Sequence, residues 1–361
     1  MKFGFFMKRL PNLDVLRFFL SVYVIMIHLA QLSFNQQLPN YNHFIGEHKG
    51  NQAIAMFFVL SGFLIIRIIY RAKQKDRFSI RRFYMRRILK IFPLYYFVVA
   101  FGFLYYHVIL PGLGIPFEIN YDVRVGLVLN TFFLANVFTR MYDVGGVLGV
   151  LWSIAIEEQF YIIIAPLLFF LRKYIIFKVL LALTIVYFVL FHLDVLYVLR
   201  KFKFEFFFIF SGGLMAILEE KQKLEFLKKY RVVPLMSVLC VLLYFFTSIF
   251  DFQILWIYNL FTCIFFALFI HSICLNNFGF EIKNKYLNYF GEISYGLYLY
   301  HIIIINFVVF LFMKLRPIQV FNDIITLILI NVLTYGLTIF VSHLSYKYFE
   351  SYFLKLKDKY R

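Results

Sequence analysis

Cysteines, acidic side chains and hydrophilic linkers are all scarce in this chain, and each scarcity excludes something. Only three cysteines occur in 361 residues. Cys240, Cys263 and Cys274 all lie inside apolar runs, without the paired spacing of a disulfide framework or the ligand spacing of a metal site, so they read as core residues and no metal is expected. Asp and Glu number 19 against 37 Lys and Arg, a net charge of +18. Such an excess would suit nucleic acid, but the basic residues flank apolar stretches, the arrangement that orients helices in a bilayer, and no nucleic-acid partner is expected. No small-residue cleavage site follows the basic start of Lys2, Lys8 and Arg9, so the first apolar stretch is an anchor and not a signal peptide. No internal repeat and no Ser/Gly/Pro-rich linker is visible, so residues 1–361 read as one transmembrane domain.

What the chain has in abundance is apolar surface. It is 63% hydrophobic and 22% aromatic, with a mean hydropathy of +0.80, more than a soluble fold of this length could bury. Its apolar runs approach the roughly 20 residues that a membrane-crossing helix needs. The expected fold is all-α and integral to the lipid bilayer. About ten transmembrane helices are placed near residues 13–33, 51–69, 90–110, 149–171, 174–192, 203–218, 232–250, 254–275, 291–313 and 322–345. With the N-terminus inside, 28 of the 37 Lys and Arg fall in cytoplasmic segments, which puts both termini in the cytoplasm. An inner loop over 67–90 and an outer loop from 111 to about 148 are the largest pieces outside the spans. The outer loop reads as a turn and an interfacial helix, re-entering near Gly149. Arg200, Lys201 and Lys203 form an unusually basic outer turn.

The first run, LDVLRFFLSVYVIMIHLAQL at 13–32, carries Arg17 and His28. Charge at membrane depth is costly and persists chiefly where it faces protein or a water-filled cavity. Eleven positions make about three helical turns, so both side chains project from nearly one face, roughly 16 Å apart. Asp14, three residues before Arg17, is placed to pair with it.

In RRFYMRRILKIFPLYY at 81–96, Arg82, Arg86 and Lys90 share a face, and Pro93 is expected to interrupt the helix. Most of this cluster reads as a stop-transfer charge patch that grips anionic lipid. Arg87 and Lys90 are the basic residues nearest the apolar run, where a phosphate-bearing ligand from the cytoplasm would meet fixed positive charge. With Arg86 beside them they form the expected cofactor-binding set. Glu157 and Glu158 sit in LWSIAIEEQFY at 151–161. Adjacent helical positions point about 100° apart, so only one can face His28, where a carboxylate would fix the imidazole tautomer. Ser61 and Gly62 are assigned to helix packing. His271, His301 and His343 are taken as core histidines outside the chemistry.

These segments, in this order, resemble the membrane acyltransferase family 3, the integral-membrane O-acyltransferases of cell-surface glycans. The resemblance is carried by LDVLRFF with the Arg17-to-His28 spacing, FFVLSGFL at 57–64, FYMRRILKIFPLYY at 83–96, LWSIAIEEQFY at 151–161 and SYGLYLYH at 294–301. It implies a ten-helix acyltransferase domain in a bacterial inner (plasma) membrane, a cytoplasmic acyl-CoA donor with acetyl-CoA as the default, and a glycan or glycolipid acceptor hydroxyl on the outer side. It assigns the Arg-to-His motif to Arg17 and His28, the basic Arg-x-x-Arg motif to Arg87 and Lys90, and the Glu of the Trp-Ser segment to Glu157. Lys at position 90 keeps the charge but loses the bidentate fork of Arg. Many members append an extracytoplasmic hydrolase-like domain, which is not expected here because the chain ends at Arg361, shortly after its tenth run.

The expected mechanism has His28 as general base on the acceptor hydroxyl, Glu157 supporting it, and Arg17, Arg87 and Lys90 holding donor phosphates. A covalent acyl-His28 intermediate is the variant of this scheme. The reading from a different class is a transporter or flippase of a lipid-linked glycan without bond chemistry, which inverted repeats would favour. A purely structural subunit fits poorly with Arg17, His28 and Glu157 in apolar runs.

Overall fold

The computed structural model describes residues 10–41, 50–230, 232–274, 281–315 and 321–360. Expectations that rest on Lys2, Lys8, Arg9, Lys49, Arg231, Arg316 and Arg361 lie outside the described residues. Within them every regular element is helical. Three long helices come first: α1 (Leu13–Asn35), α2 (Gly50–Gln74) and α3 (Ile80–Leu104). Three short ones follow, α4 (Val123–Thr131), α5 (Ala135–Met141) and α6 (Gly145–Gly149), leading into α7 (Leu151–Phe170) and α8 (Ile176–His192). Then come α9 (Phe206–Glu220), α10 (Val232–Phe246), α11 (Leu255–Cys274), α12 (Lys285–Glu292), α13 (Ser294–Leu315) and α14 (Asp323–Leu344).

Each of the ten expected runs falls on a helix, but not all meet the length of a crossing. Seven helices among the described residues are long and apolar enough to cross a membrane, or up to eight if α8 and the segment Asp194–Lys201, bent by 87°, make one span. The α9 and α10 helices have 15 residues each, short of the roughly 20 that a perpendicular crossing takes.

Two expectations need correction. The segment 67–90 is not a loop: α2 continues to Gln74, and α3 begins at Ile80, where the Ser79 hydroxyl accepts from the Arg82 amide at 3.4 Å. An N-cap of this kind satisfies one of the free amides of the first turn, so the basic stretch extends the helix ten residues ahead of the apolar run. Nor does Pro93 break α3, which runs through it to Leu104. Among packed helices, neighbouring groups absorb the backbone acceptor that proline frees.

The α2–α9 crossing is a close backbone contact. A Cβ on Gly62 would lie 1.8 Å from the Ile209 carbonyl oxygen, and one on Gly212 would lie 1.8 Å from that of Val59. Two glycines facing each other's backbones bring the helices closer than any side chain allows, the small-residue contact expected at Gly62. Where α2, α9 and α11 end, buried Arg67 bridges Glu219 at 3.1 Å and Glu220 at 2.8 Å, Arg71 joins Glu220 at 2.7 Å, and His271 lies 3.6 Å from Glu219. His271, expected in apolar surroundings, thus belongs to a charged cluster. A buried guanidinium is tolerable because two carboxylates neutralise it.

The basic turn at Arg200–Lys203 has local work to do. Arg200 donates to the His192 carbonyl at 2.9 Å, satisfying the end of α8, while Lys203 sits 4.2 Å above the Trp152 ring and bonds Asn51 at 3.1 Å.

Candidate active site

Helix α1 places Arg17 and His28 on one face, as the spacing requires, and Arg17 pairs with Asp14 at 3.1 Å. From Arg17 a cavity of about 280 Å³ opens among α1, α2, α3, α7 and α13. Its α2 wall runs from Ile54 to Ile68, a helical rise of roughly 21 Å, so the space is long and narrow.

The two ends of the cavity differ in chemistry. Ser61, Glu157 and Tyr161 meet half way along the α2 wall, with Arg17, Arg87 and Lys90 on one side of them and Ile54, Phe57, Ser153 and Tyr298 on the other. The Arg87 guanidinium is held over the Tyr161 ring at 5.7 Å and the Phe83 ring at 5.9 Å. Stacking fixes its plane without occupying its N–H donors. Among the described residues Lys90 makes no ion pair and no hydrogen bond. The basic end therefore offers unspent donors to an anion. Arg86, one position from Arg87, lies outside the cavity walls.

Glu157 does not contact His28. Its Oε2 lies 2.8 Å from the Tyr161 hydroxyl and 3.0 Å from that of Ser61, and the two hydroxyls are in contact with each other, so their two protons are shared among the three oxygens. Glu157 thus holds the ring on which Arg87 stacks, and Ser61, assigned to packing from sequence, completes that cluster. Adjacent Glu158 is buried, and its Oε1 has no hydrogen-bond partner among the described residues.

The partner of His28 is a second histidine. His28 Nδ1 lies 2.7 Å from His301 Nε2, and His301 Nδ1 lies 2.5 Å from the Tyr298 carbonyl oxygen. These two contacts assign the protons. A carbonyl can only accept, so Nδ1 of His301 is the protonated nitrogen and its Nε2 carries the lone pair. His28 Nδ1–H must then donate to His301, which leaves Nε2 of His28 without its proton. A fixed basic nitrogen is what a general base requires. His301 is fully buried, and Tyr298 reaches Ser153 at 2.7 Å through its hydroxyl.

His301 is the functional candidate that the sequence left aside. Its only signal there was the SYGLYLYH motif, and 273 positions separate it from the imidazole it meets. His343, also set aside, bonds the Tyr289 hydroxyl at 2.6 Å, away from this chain of contacts.

The chain is similar to known acyltransferases. The family model described as "Acyltransferase domain" matches residues 10–347. The peptidoglycan O-acetyltransferase OatA of Listeria monocytogenes is 27% identical over 177 residues, 46% of this chain and 25% of that protein. The O-acetyltransferase OatA of Staphylococcus aureus is 29% identical over 170 residues, 45% of this chain and 25% of its own length. The acyltransferase MdmB of Streptomyces mycarofaciens is 32% identical over 156 residues, 43% of this chain and 38% of that protein. The matched stretch thus spans a quarter to two-fifths of these relatives. No solved structure matches the chain. With the family model covering nearly its whole length, the chain belongs to the acyltransferase family 3 that its five motifs resemble.

Proposed function

We propose that the protein moves an acyl group, acetyl in the first instance, from cytoplasmic acyl-CoA to a hydroxyl of a cell-surface glycan. The CoA phosphates bind Arg87, Lys90 and Arg17, at the cavity end that the charge bias of the sequence turns towards the cytoplasm. The pantetheine arm follows the apolar wall of α2 towards Tyr298. Glu157 is a positioning residue: it holds Tyr161 and through it Arg87. The OatA relatives are named O-acetyltransferases, one of them of peptidoglycan, and that likeness makes a peptidoglycan-type or related glycan the first acceptor to try.

The observation that carries this reading is the proton chain from the Tyr298 carbonyl through His301 to His28. His28 Nε2 removes the proton of the acceptor hydroxyl as its oxygen attacks the thioester carbonyl. His301 and the carbonyl behind it stabilise the imidazolium that forms. When the tetrahedral species collapses, the C–S bond breaks and the same proton passes from Nε2 to the departing thiolate, releasing CoA-SH. Histidine acting as a positioned base contributes roughly a hundred- to ten-thousand-fold. Purified protein in lipid, given acetyl-CoA and peptidoglycan fragments, should release thiol only when acceptor is present. His28→Ala should lose that release while still binding CoA, whereas a His28→Ala variant with wild-type turnover would refute the assignment.

A further inference from the structure

Tyr298 belongs to the donor cavity and to the histidine pair at once. It lines the cavity, while its backbone carbonyl accepts from His301 Nδ1. Residues three apart on a helix are neighbours on one face, and the Tyr298 ring centroid lies 5.7 Å from that of His301, the imidazole that backs the base, so the phenol stands beside the histidine pair at the cavity wall. Ser153 lies 2.7 Å from the phenol oxygen, and the phenol also donates to the Val150 carbonyl at 3.2 Å. The Val150 carbonyl can only accept, so the shared protons are ordered: Tyr298 donates to Val150, and Ser153 donates to Tyr298.

From this arrangement we propose that Tyr298, backed by Ser153, is the oxyanion donor of the acyl transfer. The claim rests on the acyl-CoA reading above and adds a catalytic residue to it. As the acceptor oxygen bonds to the thioester carbon, the carbonyl π pair moves onto oxygen. A developing anion is a far stronger acceptor than the Val150 carbonyl, whose hydrogen bond is already long. The Tyr298 O–H rotates from that carbonyl to the oxyanion, and Ser153 keeps donating to the phenol oxygen. No proton leaves Tyr298: when the carbonyl re-forms and the C–S bond breaks, the hydroxyl returns to Val150. Phe57, edge-on to the phenol at 6.2 Å, and Phe58 make the surroundings apolar, where such a donor acts most strongly.

The test is steady-state kinetics of acetyl-CoA thiol release by the full chain in lipid, with CoA binding measured on the same preparations. Tyr298→Phe removes one hydroxyl and keeps the ring against Phe57. It should lower kcat by about 100- to 1,000-fold, the usual cost of one oxyanion donor, with the KM for acetyl-CoA and the affinity for CoA unchanged. Ser153→Ala should lower kcat less, also at constant KM. His28→Ala on the same assay separates this claim from the one beneath it. Tyr298→Phe at near-wild-type kcat beside an inactive His28→Ala overturns the oxyanion role and leaves the acyltransferase reading intact. An active His28→Ala overturns the reading itself. A loss in Tyr298→Phe that is matched by lost CoA binding, with Ser153→Ala unaffected, assigns the pair to packing and also overturns the proposal.

Discussion

A neutral imidazole is a base at one nitrogen only, and which one is decided by what the other nitrogen touches. In this protein the Tyr298 backbone carbonyl makes that decision from two hydrogen bonds away, through His301. Replacing His301 with Ala should leave His28 free to take either tautomer and lower kcat by roughly 10- to 100-fold, as loss of an orienting partner commonly does. His301→Gln, which can both donate to the Tyr298 carbonyl and accept from His28, should recover part of the loss. Equal activity of the Ala variant and the wild type in the thiol-release assay would remove His301 from the mechanism. At the basic end, Arg87→Ala should raise the KM for acetyl-CoA by about 10- to 100-fold, the size of a charged hydrogen bond lost, with kcat little changed; a fall in kcat at constant KM would place Arg87 elsewhere in the reaction. Arg17 and His28 were legible because a charge in an apolar run must be explained and helical spacing can be computed from sequence. The His28–His301 contact was not, because it is made by the packing of α1 on α13. For the same reason Glu157 was assigned to the wrong neighbour: a helix's own periodicity says which residues share a face, not which helix that face meets.

Helix existence followed from hydropathy, since every expected apolar run is a helix, but helix ends followed other forces. The α3 helix starts early because Ser79 caps it and because Arg and Lys are good helix formers. Hydropathy cannot register either effect. Close approach between α2 and α9 was half legible: Gly62 announced a tight contact, but its partner Gly212 lies far along the chain. Gly62→Ala should drive its new methyl into the Ile209 carbonyl and destabilise the fold by about 1–3 kcal/mol, the usual range for overpacking. Gly149→Ala, where nothing lies within 4 Å of the added carbon, is the matched control and should melt with the wild type. Thermal unfolding in detergent measures both; equal melting of all three proteins would mean that the α2–α9 crossing is not as close as described.

For the molecule as a whole, family membership and a helical membrane architecture were readable from five ordered motifs and the apolar composition. The number of crossings was less so, because α9, α10 and the bent α8 segment are apolar without being long. Under the proposed function the expected orientation has a direct consequence: donor and acceptor would lie on opposite sides of the bilayer and meet through one site. In sealed vesicles with the protein in a single orientation, acetyl-CoA carrying a labelled acetyl group is supplied only on the side facing the termini, and glycan acceptor only on the other. Transfer through the His28 site predicts label on the acceptor across the membrane, absent when His28→Ala replaces the wild type. Label that stays on the donor side with wild-type protein, or that crosses equally well with His28→Ala, would contradict it.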